Sequence, residues 1–78
     1  MLKGKPRILI LGAGIMQGPA LKIACEMGFE VVAVDADPEA PCVSFADRFR
    51  QIDLKDREGI EAFGRSLLAE GGLSGIMT

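Results

Sequence analysis

"RILILGAGIMQGP", residues 7–19, is the stretch that decides the fold. Its opening RILIL is an isoleucine and leucine run behind one arginine, which suits a strand buried on both faces of a parallel sheet. The glycines end that strand, and the residues after them carry a helical pattern to about Met27. Met16, Ala20, Ile23, Ala24 and Met27 recur at three- and four-residue steps, so they are expected to face the sheet. Pro19 fits only the first turn of such a helix, where no backbone donor is lost. Gly28 followed by Phe29 is a helix stop: a left-handed glycine, then an apolar residue folding back on the last turn.

Working outward, EVVAVDA (30–36) reads as a second buried strand and DPEAPC (37–42), with two prolines, as a loop. VSFAD (43–47) predicts one helical turn. RFRQI (48–52) alternates charged and apolar residues, as a strand nearer the sheet edge does. Asp53 or Asp56 then caps a helix to about Glu70, with Ile60, Phe63, Leu67 and Leu68 on its buried face, and Gly71-Gly72 ends it. LSGIMT (73–78) reads as a fourth strand reaching the last residue. The fold class is therefore α/β, a Rossmann-like half: a four-stranded, mostly parallel sheet of order 3-2-1-4 with two main helices. Ligands of open α/β sheets lie outside the carboxyl ends of the strands. With no loop after Thr78, residues 1–78 are expected to be a single domain belonging to a longer enzyme.

The bulk composition bounds the function. A chain of 78 residues holds one small domain, which buries only about 60% of its unfolded surface. Four Phe and no Trp or Tyr leave little to stack on nucleic-acid bases, so no nucleic-acid partner is expected. Lys3, Lys5, Arg7 and Lys22 stand in an acid-free first 25 residues, yet the net charge is −2, and these cations read as a solvated lead into the first strand. They imitate the basic region of a signal peptide, but an amphipathic pattern without a cleavage site follows, which predicts a cytoplasmic protein. No stretch is long enough to cross a bilayer, and no membrane partner is expected. Cys25 and Cys42 match no zinc spacing and are expected to be reduced thiols serving packing.

Chemistry can reside only in the glycine loop and the acids near it. Gly12 and Gly14 permit backbone angles and close approaches that a Cβ would block, and a following helix N-terminus offers unpaired amides to an anion. The same glycines also serve a tight turn with no ligand. The dinucleotide fingerprint is G-x-G-x-x-G with an acid about 20 residues on. Here Gly12, Gly14 and Gly18 are spaced one residue too long, although Asp35 stands where the ribose-binding acid would be. Asp35 can equally start the loop by accepting from nearby amides, and Asp37 before Pro38 is expected to do so. Asp53 and Asp56 suit capping, and Glu58 and Glu61 suit the first turns of a helix. With no His, no acid pair of defined spacing and no metal cluster, no catalytic residue and no metal ligand is nominated.

"RILILGAGIMQGPALKIACEMGFEVVAVDADPEAPCVSFADRF" (7–49) resembles the N-terminal domain of ATP-grasp enzymes. These include carbamoyl-phosphate synthase large chains, formate-dependent phosphoribosylglycinamide formyltransferase and biotin carboxylase. The most specific part is VVAVDADPEAP followed by FAD, a charged strand, an aspartate and a helix. The resemblance implies an ATP-dependent ligase that makes an acylphosphate for attack by an amine or thiol. It also implies that Mg-ATP binds in the remaining ATP-grasp domains, with no cofactor held by these 78 residues. By the same resemblance Gly12, Ala13, Gly14, Ile15, Met16, Gln17 and Gly18 line the side of a small-molecule acceptor substrate, with Asp35 as the strand-2 acid. The sequence departs from formyltransferase relatives at Ile15, where those carry a substrate-binding glutamate. An apolar Ile15-Met16 pair is equally suited to packing on a neighbouring domain. Two other classes stay open: an NAD(P)-binding oxidoreductase or dinucleotide-sensing domain, and an interaction module forming a homodimer through its sheet edge.

Overall fold

The computed structural model describes residues 6–77. Strands β1 (Arg7–Leu11), β2 (Glu30–Asp35), β3 (Arg48–Gln51) and β4 (Gly75–Met77) are joined through helices α1 (Gly18–Glu26) and α2 (Arg57–Glu70). Short 3-10 turns occupy Ile15–Gln17 and Val43–Phe45. The sheet order is β3-β2-β1-β4 with every pair parallel, as the connection rules require. The fold is α/β. The expected basic lead at Lys3 and Lys5, and the reach of the last strand to Thr78, lie outside the described residues.

The unbroken apolar strands are explained by cover on both faces. Val31, Val32, Ala33 and Val34 are all fully buried. Ile10, Val31 and Ala33 pack on one side with Leu21 and Ala24 of α1, and Leu9, Val32 and Val34 pack on the other with Phe63 and Leu67 of α2. Each buried Val, Leu, Ile or Phe side chain among them contributes about 1.5–3 kcal/mol through apolar burial. The predicted helix stop is present: Gly28 has φ +91°, and the Gly28 and Phe29 amides donate to the Cys25 and Ala24 carbonyls at 3.1 and 3.0 Å.

The face of α1 differs from the one the spacing predicts. Met16, Ile23 and Met27 are exposed (87, 54 and 70%), and Gly18, Leu21 and Ala24 form the buried stripe. Residues 15–17 wind as a 3-10 turn, which advances the chain at a different angle per residue and breaks the phase carried from Met16 into α1. Gly18 seats against Cys42, and Leu21 and Ala24 pack on the sheet; of the residues the spacing placed there, Ala24 is buried and Ala20 half-buried. In α2, Asp56 is the cap, accepting from the Gly59 amide at 3.0 Å, whereas Asp53 accepts from the Lys55 amide before the helix begins. Phe63 and Leu67 are buried as expected, Ile60 is half-buried, and Leu68 is 57% exposed. Leu73, beyond the helix, joins the core on that side instead. Of the two thiols, Cys42 packs in the core but Cys25 lies on the exposed side of α1, which corrects the packing role expected of it.

The amino-terminal rim of the sheet is tied by charge. Arg7 Nε donates to Glu30 Oε1 at 3.0 Å and its Nη1 to the Leu67 carbonyl at 3.2 Å, while Arg48 Nη1 meets Glu70 at 3.0 Å. At the sides, β3 presents Arg50 and Gln51 to solvent, whereas β4 leaves Ile76 and Met77 partly exposed on opposite faces.

Candidate functional site

The glycine loop sits at the carboxyl ends of β1 and β2, where ligands of parallel sheets are met. The Gly12 amide donates to the Val34 carbonyl at 2.7 Å, extending the ladder one residue past β1, and the chain turns there with φ +109°. That angle admits glycine readily and costs an L side chain strain. Ala13 is fully buried; its carbonyl accepts from the Cys42 amide at 2.9 Å, and its amide donates to Asp35 Oδ2 at 2.9 Å. Gly14 is extended, and its carbonyl accepts from the Gln17 amide at 3.0 Å.

Asp35 therefore joins the two strand ends. Its Oδ1 accepts from the Asp37 amide at 3.0 Å while Oδ2 holds Ala13. The Asp37 amide, and after it the Ala13 amide, hold the carboxyl below its ordinary range by favouring the charged form. Asp37 repeats the arrangement one step on, accepting from the Glu39 amide at 2.9 Å as its position before Pro38 predicts.

The eight sequence-nominated residues thus divide by position. Gly12, Ala13 and Gly18 are buried, Gly14, Gln17 and Asp35 are half-buried, and Ile15 (74%) and Met16 are exposed at the loop's outer surface. Gly18 is held by packing: a Cβ there would lie 2.7 Å from Cys42 Sγ. The Gln17 side chain folds back across the loop, its carboxamide carbon 3.3 Å from where a Gly12 Cβ would stand and its Oε1 3.2 Å from that of Gly14.

Two features escaped the linear reading. An open cavity of about 550 Å³ lies between α1 and the 43–45 turn, walled by Ile15, Pro19, Ile23, Cys42 and Phe45, with Lys22 and Glu26 at its sides. Its walls come from segments some 20 residues apart, so only the exposed α1 side chains could have signalled it. The second is Gln17, whose return over the glycines follows from a turn that periodicity alone does not reveal. Among the described residues no three or more His, Cys, Asp or Glu gather as a metal site, and no helix is long and apolar enough to cross a membrane.

No family model matches the chain. Over 55 residues, 69% of its length, it is 40% identical to the formate-dependent phosphoribosylglycinamide formyltransferases of Salmonella schwarzengrund and Salmonella typhi. It spans 14% of the length of these curated relatives. Among solved structures it is similar to N5-carboxyaminoimidazole synthetase from Staphylococcus aureus, which was also determined complexed with ADP. The TM-score is 0.71 at 30% identity, covering 82% of this chain and 17% of that one. These relatives are ATP-grasp ligases, and by sequence and fold this chain is a homologue of the N-terminal domain of ATP-grasp enzymes.

Proposed function

We propose that residues 1–78 form the N-terminal, acceptor-side domain of an ATP-dependent carboxylate–amine or carboxylate–thiol ligase, or of a carbamoyl-phosphate-synthase-like enzyme. In this reading the loop Gly12–Gly18 and Asp35 form one wall of the pocket for a small-molecule acceptor. Mg-ATP is bound by ATP-grasp domains outside these 78 residues, in the same cytoplasmic enzyme. This domain by itself holds no cofactor and is inert. The observation that carries the proposal is the 40% identity over a segment that includes most of this small domain, joined to a shared fold. The loop's place at the carboxyl ends of parallel strands supports a ligand-facing role. The commitment of both Asp35 oxygens to backbone amides speaks for loop-ordering over ribose binding.

The test is a titration of the ¹⁵N-labelled 78-residue protein with Mg-ATP and, separately, NADH, followed by amide chemical shifts. The expected result is no saturable shift with either up to millimolar concentration. Saturable ATP binding overturns the division of labour between domains. NADH binding that weakens in Asp35→Asn overturns the ligase reading in favour of a dinucleotide one. In-frame sequence adjoining the 78 codons supplies an independent check: the reading requires a second glycine-rich loop, a lysine for ATP phosphates and Glu or Asn magnesium ligands.

A further inference from the structure

The loop that resembles a diphosphate cradle is already filled. In a dinucleotide loop the close approach allowed by glycines lets the pyrophosphate reach bare backbone. Here the space over Gly12 and Gly14 is taken by the chain's own Gln17, whose Cδ, Nε2 and Cγ lie 3.3, 3.5 and 3.6 Å from a Cβ built on Gly12. The same side chain reaches Gly14 through Oε1. Four amides of the loop are committed within the protein: Gly12 to Val34, Ala13 to Asp35, Gln17 to Gly14 and Gly18 to Ile15. Asp35, kept ionised by its two amide donors, adds negative charge directly behind Ala13. No Lys or Arg occurs between Gly12 and Gly18 to offset it.

We propose that Gln17 is the specificity-determining residue of this loop: its carboxamide occupies the notch over Gly12 and Gly14 and keeps it closed to a diphosphate. What the loop offers a ligand is then a neutral amide, donor and acceptor together, flanked by the exposed Ile15 and Met16. The inference rests on the acceptor-side reading above and deepens it. The acceptor group that meets the loop is uncharged or cationic, as the nucleophilic end of an amine is, and not a phosphate.

Amide shifts of the ¹⁵N-labelled protein, titrated with inorganic pyrophosphate, test the assignment in the parent chain, Gln17→Ala and Gln17→Leu. Alanine empties the notch, whereas leucine refills it without polarity. The expected result is no saturable shift at Gly12, Ala13 or Gly14 in the parent or the leucine variant. The alanine variant is expected to show saturable shifts at those three amides at concentrations where the parent shows none. Retained dispersion of the Leu9, Val32 and Leu67 amides shows that each variant is folded. Pyrophosphate binding by the parent overturns the proposal, as does binding by the leucine variant equal to that of alanine. Absence of binding in all three overturns it too, because the notch is then closed by something other than Gln17. The ligase reading is decided separately, by the Mg-ATP and NADH titrations of the parent.

Discussion

Substituting Gly18 by alanine isolates the contact that seats α1. A Cβ built on Gly18 lies 2.7 Å from Cys42 Sγ, well inside the 3.4 Å at which ordinary contact begins. The backbone that carries the sulfur is held in place. Cys42 is buried, its amide donates to the Ala13 carbonyl at 2.9 Å, and its carbonyl accepts from Phe45 at 3.1 Å. Overpacking of this kind costs about 1–3 kcal/mol. Replacing glycine by alanine in a helix returns at most about 1 kcal/mol. The net loss is about 1–2 kcal/mol, which in a domain of this size lowers Tm by roughly 5–15 °C. Urea and thermal unfolding measure it, and the cycle with Cys42→Ala identifies the cause. Once the sulfur is gone, Gly18→Ala is expected to be neutral or stabilising, giving a coupling of about 1–3 kcal/mol between neighbours. A Gly18→Ala variant as stable as the parent, or one equally destabilised in the Cys42→Ala background, would refute the reasoning.

Asp35 should make stability acid-sensitive: its lowered native pKa gives a contribution present above the ordinary value of 3.8 and lost as pH falls through the lower native one. Urea midpoints from pH 2 to 7 should show that loss in the parent and a flatter acid limb in Asp35→Asn; identical limbs would exclude the role. Arg7→Ala removes the Glu30 pair and one of three donors to the Leu67 carbonyl, which keeps the Gly71 and Gly72 amides, for an expected loss of about 0.5–2 kcal/mol. Part of that loss should vanish in 1 M salt, and a loss independent of salt would assign the effect to packing of the arginine stem. A thiol reagent should modify Cys25 in the native protein at least tenfold faster than Cys42, which reacts on unfolding; equal rates would contradict the burial.

The strands were legible because burial on both faces leaves a mark that needs no phase: RILIL and EVVAV are apolar at nearly every position. Caps and stops were legible because they are local, as at Gly28-Phe29 and Asp56. The face of α1 was legible only in part: Ala24 is buried and Ala20 half-buried as the pattern favoured, but Gly18 and Leu21 complete the buried stripe while Met16, Ile23 and Met27 stay exposed after the 3-10 turn. Asp35 was visible as a strand-end acid with two open roles, and the distances to Ala13 and Asp37 show the loop-ordering one. The Gln17 fold-back and the pairing of Arg7 with Glu30, 23 residues away, depend on tertiary placement and carry no linear signal.

The two sides of the sheet have opposite characters, and this gives the fold a direction. Arg48, Arg50 and Gln51 make β3 a polar, charge-guarded border, the kind that resists addition of another strand. On β4, Ile76 continues the row of Leu9 on one face and Met77 that of Ile10 on the other, and both rows stop with their last members half in water. Any lengthening of this sheet, whether by covalent neighbour, by second copy or by aggregation at high concentration, is therefore favoured at β4 and opposed at β3.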